Sequence, residues 1–536
     1  MKKKLSLVAA MVLALAMVFS LAACGSQGGN SASSSPPADN AITSAGEDEN
    51  LEPVSGTSEE TLKVCLEEEP ACVLPLNANA GVGSYVSQCI YDTLIHYNSD
   101  TKELEPMLAT EWEWVDDTHL KMTLRDDVVA YDGSILTASD VLYSVQQGLA
   151  GDAPTQWKYV DGNECSAPDD TTFILGLKEA HPTVVNLLAS ICMLPIIDES
   201  SVEANGGYEA CLRDPKCSTG AYKFEEWKNG EYIRLVRNED YWGEAPYYAE
   251  ITFTFINDSA SRAMGLSGGD INVAADLTSA DALSITEPNK VTPVATGGCY
   301  VIFFNVTNEY LSNATVREAI FKAIDVEALN QVGTTGLSTL ASSLMPSSNA
   351  YYSAPSSDYD HTVDIEAAKQ LLADAGYPDG FELYMPIMAQ QQPECEVIQA
   401  CLLQIGIDLK LEVVELPTYL GATDTGDFDL AYQRTTPDDI ANMLNYFDDR
   451  LESFERGGGI FGACPDDIYE LLDNCRLTTD FDEAMPYWTE FQDYVRNNYL
   501  YIPVYEDCKF MAMDSDYVYQ YDQIGYINFA TMRPAG

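Results

Sequence analysis

The chain has 536 residues, with 84 acidic against 28 basic side chains and a formal net charge of −56. So acidic a surface is repelled by phosphate backbones and anionic headgroups, which argues against nucleic acid as a partner. Its 14 cysteines and four histidines form no CxxC pair and no zinc-ligand spacing, so neither a metal site nor a cofactor is expected.

Lys2, Lys3 and Lys4 precede an apolar run from Leu5 to Phe19 that ends in the small residues Ala22 and Ala23. This is the pattern of a secretory signal peptide, placed over residues 1–23. The run falls short of the roughly 20 apolar residues of a membrane span, and no later stretch reaches that length. Leu21-Ala22-Ala23-Cys24-Gly25-Ser26 resembles the bacterial lipobox, which implies that Cys24 carries a lipid anchor and becomes the new N-terminus. Residues 24–60 are rich in Ser, Gly and Pro and contain no Lys or Arg. They read as a disordered tether from the membrane to the folded body.

Past the tether, Leu120, Met122 and Leu124 alternate with polar neighbours as in a half-buried strand, and Asp132-Gly133 marks a turn. Thr137-Ala138-Ser139-Asp140 opens a helix as a capping box, with Val141, Leu142, Val145 and Leu149 on one face. Asn229-Gly230 separates two alternating runs and predicts a hairpin. Val301-Ile302-Phe303-Phe304 suits a strand covered on both faces. Thr315-Val316-Arg317-Glu318 is a second capping box, followed by apolar residues at helical spacing.

Ile365 to Ala375 reads as a helix stopped at Gly376. Phe381 to Met388, the stripe from Val397 to Ile405, and the alternation from Ile407 to Val413 form a βαβ unit whose two strands should be parallel. Hairpins mixed with such units predict α/β lobes. Cys211 and Cys217 bracket a short loop and are the best local disulfide candidates, although buried thiols are an equally open reading.

Three stretches together resemble the family 5 extracellular solute-binding proteins of ABC importers. They are Pro106 to Trp112 with Leu124 to Val141, Ser218 to Gly243, and Val316 to Asp325 with Leu371 to Gly380. The resemblance implies an α/β, type II periplasmic-binding-protein fold with two hinged lobes and an extra subdomain on the first. The boundaries expected are 61–97, 196–297 and 503–536 for lobe I, 98–195 for the subdomain and 298–502 for lobe II, with crossings near Gly297 to Val301 and near Tyr501 to Tyr505.

In peptide-binding members an acidic side chain between the lobes pairs with the ligand's ammonium group. Counting from Gly426-Asp427-Phe428-Asp429-Leu430, Asp438 falls at that position, with Asp439 a one-residue alternative; both could instead cap a helix. Arg434 is placed to hold a ligand carboxylate or to form an ion pair, and Tyr432 and Tyr85 are candidates for the cleft wall. The implied function is that of a monomeric, non-enzymatic lipoprotein that captures a peptide and delivers it to a membrane permease. Alternatives are an oligosaccharide or metal chelate as ligand, a surface receptor without transport, and a secreted hydrolase. The hydrolase reading lacks an HExxH motif.

Overall fold

The computed structural model describes residues 53–76, 81–150, 155–181, 183–355, 361–435, 444, 447, 468–478 and 480–536. Its main element is an eight-stranded mixed sheet. We number its strands along the chain as β1 (Thr61–Leu66), β2 (Tyr222–Lys228), β3 (Tyr232–Arg237), β4 (Glu250–Phe255), β5 (Val273–Leu277), β6 (Lys290–Phe304), β7 (Leu430–Arg434) and β8 (Tyr501–Met513). Across the sheet the order is β7-β6-β8-β5-β1-β4-β3-β2. β1 runs parallel to β4 and β5, and the remaining pairs are antiparallel.

Several local signals produce the expected elements. Asn229-Gly230 turns β2 into β3, with Gly230 at φ +71°. The four residues Val301 to Phe304 are all fully buried. The Thr137 amide and hydroxyl both donate to Asp140, at 2.8 and 2.9 Å, and open the helix Ala138–Ala150. Glu382–Ile387 and Asp408–Val413 pair in parallel around the helix Gln392–Gln404.

The second expected capping box is displaced. Asn313 caps the helix Ala314–Ala323 by accepting from the Thr315 amide at 3.0 Å. Asn satisfies an N-terminal amide better than Thr, so the stronger cap two residues upstream starts the helix. Aspartates do the same for four other helices, at Asp258, Asp325, Asp364 and Asp480. Part of the acidic excess is therefore structural, each cap contributing about 1 kcal/mol.

Two main hydrophobic cores result. The first gathers β1 to β4, the helix Ser84–Ile90, and the C-terminal hairpin of Tyr517–Tyr521 and Ile527–Pro534. It is continuous with a four-stranded sheet formed by Ala109–Asp116, His119–Leu124, Ser166–Asp169 and Thr172–Gly176. A smaller cluster on the opposite face of the main sheet holds Cys65, Ala274 and Phe510. The second core gathers β7, the βαβ unit, and the helices Ala314–Ala323 and Phe481–Asn497. β6 and β8 belong to both: Val294 and Met511 lie in the first core, Cys299 and Tyr505 in the second.

The tether reading needs shortening at its C-terminal end. Pro53 bridges to Ala535, the Val54 amide donates to the Pro534 carbonyl at 2.9 Å, and the Ser58 amide donates to Tyr247 at 2.7 Å. Main-chain bonds of this kind are indifferent to side-chain type, so a polar composition did not reveal them. Residues 1–23, read as a signal peptide, and Cys24 lie outside the described residues. Cys211 and Cys217 stand as buried free thiols.

Asp92 is the most consequential buried acid. It is 2% exposed and accepts from Trp242 Nε1 at 2.8 Å and Tyr241 OH at 3.1 Å. Burial nevertheless dominates those bonds and pushes its carboxyl up to about 7. The folded chain therefore holds this proton more tightly than the unfolded one, and the stabilisation is complete below about pH 4 and lost as pH rises through 7. Asp92→Asn should lessen the fall in urea-melt stability between pH 5 and 7 by up to about 1.4 kcal/mol per pH unit, leaving the share due to Asp522, which burial pushes up to about 6. Parallel slopes in the two proteins would show that Asp92 does not titrate in this range.

Candidate functional site

The place where the chain passes between cores is set by an irregularity in β6. Ala295 pairs with Cys508 and Cys299 with Glu506, so two extra residues bulge out of β6 there. Gly297 makes this possible at φ +73°. Gly298 is needed for a different reason: a Cβ there would sit 2.3 Å from the Thr435 carbonyl oxygen. The Thr435 amide donates to the Cys299 carbonyl at 2.8 Å, and its hydroxyl accepts from the Cys299 amide at 3.0 Å. The end of β7 is thus fastened to the bulge.

Around the bulge stands a polar triangle. Arg434 Nε donates to Asp507 Oδ2 at 2.5 Å, Arg434 Nη2 to Thr296 Oγ1 at 2.8 Å, and Thr296 Oγ1 to Asp507 Oδ2 at 2.6 Å. The Arg434 and Asp507 side chains are 33% and 21% exposed. A pair this accessible contributes about 1 kcal/mol or less to stability and leaves guanidinium edges free to meet a ligand. Of the two readings of Arg434, the ion pair is the one present in this structure.

Beside the triangle lies a small cavity of about 30 Å³ between the cores. Tyr97, Asn186, Tyr521 and Gln523 wall it from the first core, Ser348 to Tyr351 from the second, and Ala295 and Gly297 form its floor. The Tyr97 hydroxyl donates across it to the Ser348 carbonyl at 3.2 Å. The neighbouring Ser347 amide donates to Glu506 of β8 at 2.9 Å.

The tyrosine candidates lie deeper. Tyr432 is 1% exposed, with its hydroxyl on that of Tyr505 at 3.1 Å and its ring 5.4 Å from that of Tyr300. Its carbonyl accepts from Gln391 at 2.8 Å and from Tyr419 at 2.9 Å, so it anchors β7 rather than presenting a face to solvent. Tyr85 is fully buried and donates to Asp276 Oδ1 at 2.9 Å. The structure brings Arg434 and Tyr432 together on β7 and places Tyr85 apart from them, on the helix Ser84–Ile90. Asp438 and Asp439 lie outside the described residues, a few positions beyond Thr435.

Thr296 and Asp507 were missed. Their signal was present: Glu506-Asp507-Cys508-Lys509 interrupts a strand that is otherwise apolar, and Gly297-Gly298 sits inside a β pattern. Charges within such a run, and glycines within a strand, mark a site or a bulge.

Residues 103–454 match the model of the bacterial extracellular solute-binding proteins, family 5 Middle. The dipeptide-binding protein of Escherichia coli (strain K12) is 24% identical over 466 residues, covering 81% of this chain and 86% of that one. Heme-binding protein A of Haemophilus influenzae is 26% identical over 458 residues, covering 78% and 82%. The structure of HbpA2 from Haemophilus parasuis superimposes with a TM-score of 0.80 at 21% identity, over 89% of this chain and 100% of the other. That likeness is one of fold.

Proposed function

The chain belongs to family 5 of the bacterial extracellular solute-binding proteins, and from that premise we propose that it captures a peptide between its two cores and delivers it to an ABC permease. The observation that carries this reading is the cavity at the β6 bulge, walled from both cores and flanked by Arg434, Thr296 and Asp507. Enclosure between two bodies is where solute sites commonly form, and it lets a rotation of one body against the other cover the ligand.

In this reading Arg434 meets a ligand carboxylate and Asp438, with Asp439 beside it, meets the ammonium end. Main-chain groups around Thr435 then align the peptide backbone, which gives affinity with little dependence on side chains. A lipid on Cys24 holds the protein at the outer face of the membrane, and the acidic surface keeps it off anionic headgroups. Lobe I corresponds to the first core and lobe II to the second.

The test is thermal melting of the mature chain against di- to oligopeptides, a panel of sugars, and heme and metal chelates. Peptides should raise the melting temperature, because a ligand bound only by the folded state stabilises it. A shift with heme, a chelate or a sugar and none with any peptide would replace the assignment; the resemblance to heme-binding protein A is the reason heme belongs in the panel. Asp438→Ala should weaken peptide binding by at least about 2 kcal/mol, the cost of leaving a buried ammonium unpaired. Unchanged affinity would remove Asp438 from the site.

A further inference from the structure

The strand Ile95–Asn98 turns back on Glu103–Pro106 as an antiparallel hairpin packed on the first core. Two of its residues reach across to the second core. Tyr97, 6% exposed, donates its hydroxyl to the Ser348 carbonyl at 3.2 Å. Lys102, in the turn, donates its ammonium to the Ser347 carbonyl at 3.1 Å. Consecutive carbonyls of one segment are thus held from the facing body.

Both ends of this bridge are firmly seated. On the first-core side, the Ser99 amide and hydroxyl each donate to Gln520 Oε1 at 2.8 Å, and Gln520 Nε2 donates to Asp100 Oδ2 at 2.7 Å. The turn is therefore tied to the C-terminal hairpin. On the second-core side, Ser347 donates its amide and hydroxyl to Glu506 at 2.9 and 3.1 Å. Further along, the Tyr351 carbonyl accepts from Gln492 Nε2 at 2.9 Å, which seats the segment on the helix Phe481–Asn497.

The turn itself is unusual. Lys102 adopts φ +62°, a left-handed conformation that suits glycine and disfavours other L-residues. A backbone outlier of this kind points to a task for its side chain. Here the ammonium makes the bond to Ser347.

The cavity fixes what the bridge controls. Tyr97 and Ser348 both line it, and at about 30 Å³ it has room for about two water molecules. No peptide fits such a space, so the walls must part for solute to enter, and a solute between them keeps Tyr97 from Ser348.

We propose that Tyr97 and Lys102 form an autoinhibitory clasp: they hold the two cores together across the site, and solute enters only when both bonds break. The chain able to accept solute is then a fraction of the whole, and apparent affinity is reduced by that fraction. The clasp rests on the reading that solute binds between the cores and is indifferent to the solute's chemistry.

The test is small-angle X-ray scattering of the mature chain, freed of carried solute by reversible unfolding, beside titration with Ala-Ala-Ala. Wild type should scatter as the compact form. Tyr97→Phe combined with Lys102→Met should give a larger radius of gyration and bind Ala-Ala-Ala about tenfold more tightly, a difference of about 1.4 kcal/mol. Both substitutions keep the bulk of the side chain and remove its donor, and melting would establish that the variant is folded. Lys102→Arg, which keeps a donor, should scatter like wild type.

A wild-type radius already as large as that of the double variant would overturn the clasp. So would a double variant that scatters like wild type, or one that opens yet binds Ala-Ala-Ala with wild-type affinity. Binding of Ala-Ala-Ala to neither protein, with the radii differing as expected, would uphold the clasp and count against the peptide reading alone.

Discussion

Gly298→Ala is expected to weaken peptide capture by at least about tenfold while leaving a folded protein. The added Cβ meets the Thr435 carbonyl oxygen at 2.3 Å and the Arg434 guanidinium carbon at 3.3 Å. The first contact is with backbone, so it is relieved only by moving the end of β7. Overpacking of this kind costs about 1–3 kcal/mol, and the melting temperature should fall accordingly. The functional loss has a separate cause: pushing Thr435 outward displaces Arg434 behind it and the segment with Asp438 ahead of it. Titration well below the melting temperature separates the two effects. Normal affinity in a destabilised variant would mean that β7 yields without carrying the binding groups along.

Arg317→Met should cost about 3 kcal/mol of unfolding free energy, because several buried carbonyls lose their donor at about 1–3 kcal/mol each where water cannot replace it. Arg317 is 5% exposed and has no acidic partner among the described contacts. It donates to the carbonyls of Leu311 at 2.7 Å, Asn498 at 2.8 Å and Tyr499 at 3.1 Å. Burial draws its guanidinium down to about 10, so it stays charged at neutral pH. The residue ties the start of the helix Ala314–Ala323 to the turn that launches β8, and methionine would fill the space without donating. Lysine should not rescue, because a single ammonium cannot span carbonyls that a planar fork reaches. A denaturant-measured loss below about 1 kcal/mol would show that water satisfies those carbonyls instead.

What could be read from the residues was local. Asn229-Gly230, the run Val301 to Phe304 and the parallel pair around Gln392–Gln404 follow from turn chemistry and apolar spacing over a few positions. The capping box at Thr315 shows where local signals compete, since Asn313 two positions earlier wins the same helix start.

The site was harder because its partners are distant in sequence. Arg434 and Asp507 are 73 residues apart, and Tyr97 and Ser348 are 251 apart. No periodicity reports such a meeting. Tyrosine was also a poor guide: with 32 in the chain, Tyr85 and Tyr432 were drawn inward by their rings and found buried partners for their hydroxyls. The charged run within β8 carried more information about the site than either ring.

The bulge in β6 also determines which parts of a solute are measured by motion and which by fixed geometry. Between Ala295 and Cys299 the ladder to β8 is already interrupted, so bending there breaks few additional bonds. A rotation about that break moves each atom in proportion to its distance from the pivot. Thr296 lies within that break, with Arg434 and Asp507 bonded to it, whereas Gln523 and Asn349 stand on opposite walls of the cavity. Charge at the pivot would be recognised before the walls meet, and the bulk of the solute would set how far they can close.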